Sequence, residues 1–306
     1  MLGSIFQIVD VRDDDNRVWI IRMTLCSADD HHLKTIFEHM KNEHGGGEKN
    51  LLSFGNVLAD MGKFDEAEKY YHRLLKHLPP YDPDIARCYH GLGNVTDEKG
   101  DYDSSLEWHK KSLELRTKAL KLDHPHLATS YISIGCAYFN KEDYEQALES
   151  YNTAFDIIKK AFGGSHPDIA MCLNNIGCVY ERQKNYFKAL QCHQKASEIR
   201  LEYLPEHHPD IGQSHHNIGN IHRSLGQYEP AFKHYNESLT IKINSLPSEH
   251  RDIALTLENI ANVYKDKGEL QEALSYYKRA ETIYDHSLPS NHPSVIQIKE
   301  YIEYLS

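Results

Sequence analysis

Apolar residues recur at helical spacing through most of the chain. Leu173, Ile176, Gly177 and Tyr180 lie 3, 1 and 3 residues apart, which places them along one face of an α-helix. The pattern breaks at Lys99-Gly100-Asp101, Lys141-Glu142-Asp143, Lys184-Asn185, Leu225-Gly226-Gln227 and Lys267-Gly268-Glu269. A second amphipathic stretch follows each break, as in Tyr144 to Ala154, so the unit is helix–turn–helix. Residues 49–78 form a shorter version through Leu51, Phe54, Gly55, Leu58, Gly62, Phe64, Ala67 and Tyr71. The first 48 residues follow another rule. Ser4 to Val11 and Arg17 to Leu25 read as strands around an Asp13-Asp14-Asp15-Asn16 turn. A helix from Asp29 to about Lys41, with Leu33, Ile36, Phe37 and Met40 on one face, then precedes a Gly45-Gly46-Gly47 joint.

Three tracks repeat in one register. Pro83, Pro125, Pro167 and Pro209 are 42 residues apart, and the next two steps land on Arg251 and Pro293. Gly93, Gly135, Gly177, Gly219 and Ala261 form a second track, and Ser105, Ala147, Ala189, Ala231 and Ala273 a third. Proline at the first helical position gives up an N–H that would be unpaired there. Asp84, Asp168, Asp210 and Asp252 place a carboxylate at the positive end of each helix. The small residues mark where two helices approach closely. Counted by Gly55, Gly93, Gly135, Gly177, Gly219 and Ala261, there are six helix pairs, and a lone helix from about Pro293 to Leu305 closes the array. Nothing alternates with the period of two that propeller blades require.

These residues resemble the tetratricopeptide repeat. Its pattern is matched by Tyr131, Ile134-Gly135, Tyr138, Ala147, Tyr151 and Ala154, and again by Leu257, Ile260-Ala261, Tyr264, Ala273, Tyr277 and Ala280. The 42-residue form, with His-Pro-x-hydrophobic-Ala and Asn174-Asn175-Ile176-Gly177, is similar to the repeats of kinesin light chains and nephrocystin-type proteins. The resemblance implies an all-α superhelix over 49–305, of six helix pairs plus a capping helix, with a small N-terminal α/β appendage over 1–48. It implies a non-enzymatic scaffold that binds a partner protein or peptide, and the cysteine usage makes the cytoplasm the expected location. The order of hairpin, short helix and glycine joint in residues 1–48 resembles the end of a mono-ADP-ribosyltransferase domain. None of that family's catalytic motifs is present, so no catalytic residue and no cofactor is expected. Two alternatives follow: a regulatory fragment of an arginine-specific transferase, and a kinesin light chain-like cargo adaptor.

Charge narrows the partners. The 306 residues carry 34 Lys+Arg against 45 Asp+Glu, a formal charge of −11, which disfavours nucleic acid and anionic membrane. No apolar run approaches a membrane span, and the start MLGSIFQIVD lacks the pattern of a secretory signal. The 21 histidines make the total charge sensitive near pH 6, which would weaken acidic-peptide selection above pH 7. The six cysteines include no C-x-x-C pair and read as reduced thiols.

No nucleotide, hydrolase or metalloprotease motif appears, and no small-molecule substrate is expected. Cys172, Cys178, Cys192 and His193 form the most metal-like group, but Cys172 and Cys178 diverge on one helix and read as packing thiols. His207-His208 and His215-His216 offer imidazoles, with His208 already assigned to a helix entry, so no metal site is expected. The aromatic track of Tyr70-Tyr71, Trp108, Tyr151, Tyr235 and Tyr276-Tyr277 reads as core. Asparagine on the first helix of each pair stands out, because its amide competes with the helix backbone. In tetratricopeptide arrays this helix lines the concave surface. A row of amides there grips an extended peptide backbone, and cations beside it select carboxylates. The residues expected to do so are Asn174, Asn175, Arg182, His216, Asn217, Asn220, Arg223, Asn259, Asn262 and Lys265, with Asn56 and Asn94 at equivalent places earlier in the array. The competing reading is that the amides satisfy bonds between helices.

Overall fold

Every His-Pro or Asp-Pro step opens a helix, and the residue before the proline caps it. Asp82 Oδ1 accepts the Asp84 N–H at 2.9 Å. In the later repeats an imidazole does the same work. Nδ1 of His124, His166, His208, His250 and His292 accepts the backbone N–H two residues on, at 3.1–3.2 Å. Only an unprotonated nitrogen can accept, so these caps fix the tautomer of five histidines.

The structure is a computed structural model that describes residues 6–14, 18–25 and 51–305 except 289 and 291. It divides into two compact units, residues 1–99 and 100–306. The first holds α1 (Leu51–Asp60), α2 (Phe64–His77) and α3 (Pro83–Glu98). The second holds α4 (Tyr102–Ala119), α5 (Pro125–Asn140), α6 (Tyr144–Phe162), α7 (Pro167–Arg182) and α8 (Tyr186–Tyr203). It continues with α9 (Pro209–Ser224), α10 (Tyr228–Ser245), α11 (Arg251–Lys267), α12 (Leu270–Ser287) and α13 (Pro293–Leu305). The described helices number thirteen, and those of the second unit form a solenoid in which α5 pairs with α6, α7 with α8, α9 with α10 and α11 with α12. α13 packs on α12, with Val295 and Ile298 buried against the last pair. Ahead of the helices, segments Phe6–Asp14 and Val18–Leu25 are described only as an antiparallel pair with Phe6 opposite Leu25. The helix expected from Asp29 and the Gly45–Gly47 joint lie outside the described residues. The expected α/β appendage is therefore not supported, and the architecture that is supported is the helical solenoid.

The first helices end in the left-handed region at a 42-residue step: Gly100, Glu142, Lys184, Gly226 and Gly268, with φ between 57° and 81°. Glycine adopts this freely, whereas Glu142 and Lys184 carry a side chain there at some cost. The Gly/Ala track has one neighbour in each pair. A Cβ on Gly135 would sit 2.6 Å from the ring of Tyr151, and one on Gly219 2.7 Å from the ring of Tyr235. The ring therefore lies flush on the backbone of the first helix. The buried ring track runs through Tyr71, His109, Tyr151, His193, Tyr235 and Tyr277. It passes one residue beyond Trp108, which is only half-buried.

A second long-range feature joins successive pairs. Arg116 Nη1 donates to Ser130 Oγ at 2.7 Å, Arg200 Nη1 to Ser214 Oγ at 2.7 Å, and Lys242 Nζ to Thr256 Oγ1 at 3.2 Å. Arg200 and Lys242 also reach the carbonyls of Asp210 and Asp252. Each cation thus crosses from the end of a second helix to the first turns of the next. At the same step Ile158 and Cys172 share one buried apolar cluster and Tyr284 and Ile298 another, so the position accepts uncharged residues too.

Candidate functional site

The ten residues expected to line a groove sit on α7, α9 and α11, and their surroundings sort them into three groups. Asn220 and Asn262 follow the Gly/Ala track. Asn220 Oδ1 accepts the hydroxyl of Tyr235, and Asn262 Oδ1 that of Tyr277, both at 2.7 Å. Asn56 accepts from Tyr71 at 2.6 Å, and Cys136 Sγ takes the role under Tyr151 at 3.3 Å. Burial pushes all three of Tyr71, Tyr235 and Tyr277 up, which keeps them protonated donors. A phenol buried without an acceptor would cost about 1–3 kcal/mol. The amide oxygens at this position therefore each hold one bond of the scaffold. The amide nitrogens of Asn220 and Asn262 keep their donor capacity.

The second group links successive first helices. Asn217 Nδ2 donates to Asn174 Oδ1 at 2.8 Å, and Asn217 Oδ1 accepts from Gln213 at 2.8 Å. Asn259 Nδ2 lies 3.2 Å from His216 Nε2, and His216 Nδ1 lies 3.3 Å from Thr256 Oγ1. Partners are 43 residues apart, so the bonds form a polar ladder from α7 through α9 to α11. His216 is 3% exposed. Burial and the Lys242 ammonium push it down to about 3. It is uncharged near neutrality and supplies no positive charge to a groove, so the expected pH effect on acidic peptides has no basis at this residue.

The cations are also partly engaged. Arg223 Nε pairs with Asp266 Oδ2 at 2.7 Å. Lys265 Nζ sits 4.2 Å above the ring of Tyr301 on α13. Arg182 is exposed at the end of α7, its guanidinium 5.7 Å from the ring of Phe139. Asn175, half-buried two turns earlier, makes no side-chain hydrogen bond among the described residues. Asn175, Arg182 and Lys265 are the expected residues whose side chains make no hydrogen bond or ion pair among the described residues.

Other candidates settle differently. Burial pushes the Cys172 and Cys178 thiols up to about 12, so both stay protonated. His208 caps α9 and His216 belongs to the ladder, so these two do not meet. Unit 1 holds a cleft of about 490 Å³ lined by Asn56, Asn94, Asp60, Asp97, Glu98 and Tyr71. Its rim is acidic, unlike the Arg182 end of α7. Sequence reasoning missed both the Tyr-to-Asn pairs and the buried cations. The signal was available: 42-residue steps from Tyr151 pass through Tyr235 and Tyr277, and steps from Arg200 through Arg116 and Lys242.

The sequence model of the tetratricopeptide repeat family matches overlapping stretches over residues 49–118, 84–156, 126–202, 179–244 and 210–286. The chain belongs to that family. No curated protein matches it. Among solved structures it is similar to a kinesin light chain-type protein of Podosopora anserina with nearly identical repeats, at 20% identity and TM-score 0.55 over 67% of this chain and 98% of that one. BtubC of P. vanneervenii is likewise 20% identical, with TM-score 0.61 over 76% and 92%. The quorum sensor NprR of B. thuringiensis, in its apo form, is 17% identical, with TM-score 0.61 over 90% and 74%. At these identities the likeness is one of fold. The family match begins at residue 49, and the resemblance of residues 1–48 to an ADP-ribosyltransferase finds no support. Among the described residues no helix is long and apolar enough to cross a membrane.

Proposed function

We propose that this protein is a non-enzymatic, cytoplasmic interaction scaffold that holds an extended segment of a partner protein along α7, α9 and α11. The observation that carries this reading is the contrast on those helices. The ladder residues are locked to each other, whereas Asn175, Arg182 and the amide nitrogen of Asn220 are left open beside them. Locked amides hold the wall rigid, which lowers the ordering cost of binding. Open amides donate to and accept from a peptide backbone whatever its side chains. Arg182 supplies a fork for one carboxylate. With Arg223 held by Asp266 and Lys265 over Tyr301, preference for acidic peptides rests on that single residue.

The test is selection of peptides from a random display library on the full chain, followed by calorimetry on the enriched sequences. Asn175→Ala with Arg182→Ala should weaken binding at least about tenfold, the loss of roughly 1.4 kcal/mol. Neither change removes a hydrogen bond of the scaffold, so helicity should be unaffected. A library that enriches nothing, or peptides that bind the double variant as well as the parent, would refute the reading.

A further inference from the structure

Away from the ladder, α9 and α10 bring three ligand-type side chains to one point. His215 projects from α9, while His234 and Glu237, three residues apart, share a face of α10. His215 Nδ1 lies 3.0 Å from His234 Nδ1 and 2.9 Å from Glu237 Oε2, and His234 Nδ1 lies 3.5 Å from the same oxygen. The ring centroids of the two histidines are 5.3 Å apart. That is little more than the nitrogen separation plus the two ring radii, so each Nδ1 points into the gap between the rings.

One N–H on His215 Nδ1 can reach His234 Nδ1 at 3.0 Å and Glu237 Oε2 at 2.9 Å, which leaves the lone pairs of His234 and Glu237 facing each other across 3.5 Å. We infer that His215, His234 and Glu237 form a binding site for a divalent transition metal of the zinc class. A triangle with sides of 3.0, 2.9 and 3.5 Å has a circumradius of about 1.8 Å, so a point about 2.1 Å from all three atoms lies just off its plane. That is the bond length zinc takes to imidazole nitrogen and carboxylate oxygen. Two imidazoles and one carboxylate suit zinc, nickel or copper better than calcium or magnesium, which prefer all-oxygen shells.

The surroundings fit a held ligand set. His222 lies parallel to His234, with a 6° interplanar angle at 5.5 Å, and its Nδ1 is 2.7 Å from Gln227 Oε1. The ring of His234 therefore lies parallel to a second imidazole that is itself hydrogen-bonded. Glu237 is 39% exposed, which leaves a fourth coordination position open to water. The site owes nothing to the proposed peptide groove and stands or falls separately. It departs from the expectation of no metal site, because the sequence presented His215 only as a neighbour of His216.

The experiment is titration of the full chain with zinc chloride by calorimetry, with cobalt(II) absorption as a second readout. One equivalent should bind, and cobalt should develop the visible bands of a low-coordinate nitrogen–oxygen site. Glu237→Gln and His234→Gln should each weaken zinc binding by at least tenfold, whereas His286→Gln, on α12, should leave it unchanged. Glu237 is partly exposed, so its substitution decides the matter even if His234→Gln lowers helicity. A parent chain that takes up no zinc, or a Glu237→Gln variant that binds zinc like the parent, would overturn the assignment.

Discussion

Lys242→Met probes the buried cations that join successive pairs. Lys242 is 1% exposed, and among the described residues its ammonium reaches only Thr256 Oγ1 at 3.2 Å and the Asp252 carbonyl at 3.5 Å. Burial pushes its pKa from 10.5 down to about 8. At about 1.4 kcal/mol per pKa unit, keeping it charged at neutral pH costs on the order of 3 kcal/mol. Methionine fills a similar volume without a charge, and Ile158 and Tyr284 already occupy the equivalent places. The two long hydrogen bonds that disappear are worth about 1 kcal/mol together. Thr256 still donates to the Asp252 carbonyl at 2.8 Å. The variant should therefore be about 2 kcal/mol more stable at pH 7. The sign of the pH dependence follows from proton counts. Between pH 8 and 10.5 the unfolded chain keeps a proton on Lys242 that the folded chain has shed. Stability of the parent rises with pH across that window, and the variant lacks the rise. Its advantage should thus shrink from pH 7 to pH 10 in urea denaturation followed by circular dichroism. A variant less stable than the parent at pH 7, or an advantage independent of pH, would show that the ammonium is well satisfied where it lies.

Three further outcomes are expected. Tyr235→Phe and Asn220→Ala should each destabilise the chain, with a coupling of about 1 kcal/mol in a double-mutant cycle; strictly additive effects would mean that Asn220 serves no scaffold role. His193 is fully buried with neither ring nitrogen hydrogen-bonded, and burial pushes it down to about 4, so stability should fall as pH drops from 6.5 towards 4, where the unfolded chain alone takes up the proton. His193→Tyr restores the ring found at Tyr151 and Tyr235, with Cys178 placed as Cys136 is, and should add roughly 1–2 kcal/mol and flatten that acid slope in thermal melts; a lower melting temperature at pH 7 would count against it. Asn217→Ala with Asn259→Ala removes two rungs of the ladder and should cost about 1–3 kcal/mol of stability besides any loss of peptide binding; unchanged denaturation midpoints would return both residues to the groove alone.

The sequence by itself determined the repeat, because its cause is local. Proline entry, a capping side chain two residues before a free N–H, a small residue every 42 positions and a turn after each first helix are all set within one helix pair. These features placed Pro125, Gly135, Ala147 and their equivalents correctly before any coordinates. The polar residues were harder to place, because an asparagine on a helix face looks the same whether its amide meets a guest or a neighbour. Only the packing of helix on helix, within a pair and between pairs, decided that Asn220 serves Tyr235, that Asn217 serves Asn174, and that Arg200 and Lys242 reach across to the following turn. The same packing brought His215 to His234 and Glu237. Partners 14, 15, 19 and 43 residues apart meet through the angle and spacing between helices, which periodicity along one strand of text does not encode. Local rules fixed where each helix starts and stops, whereas the tertiary structure assigned each polar atom its partner.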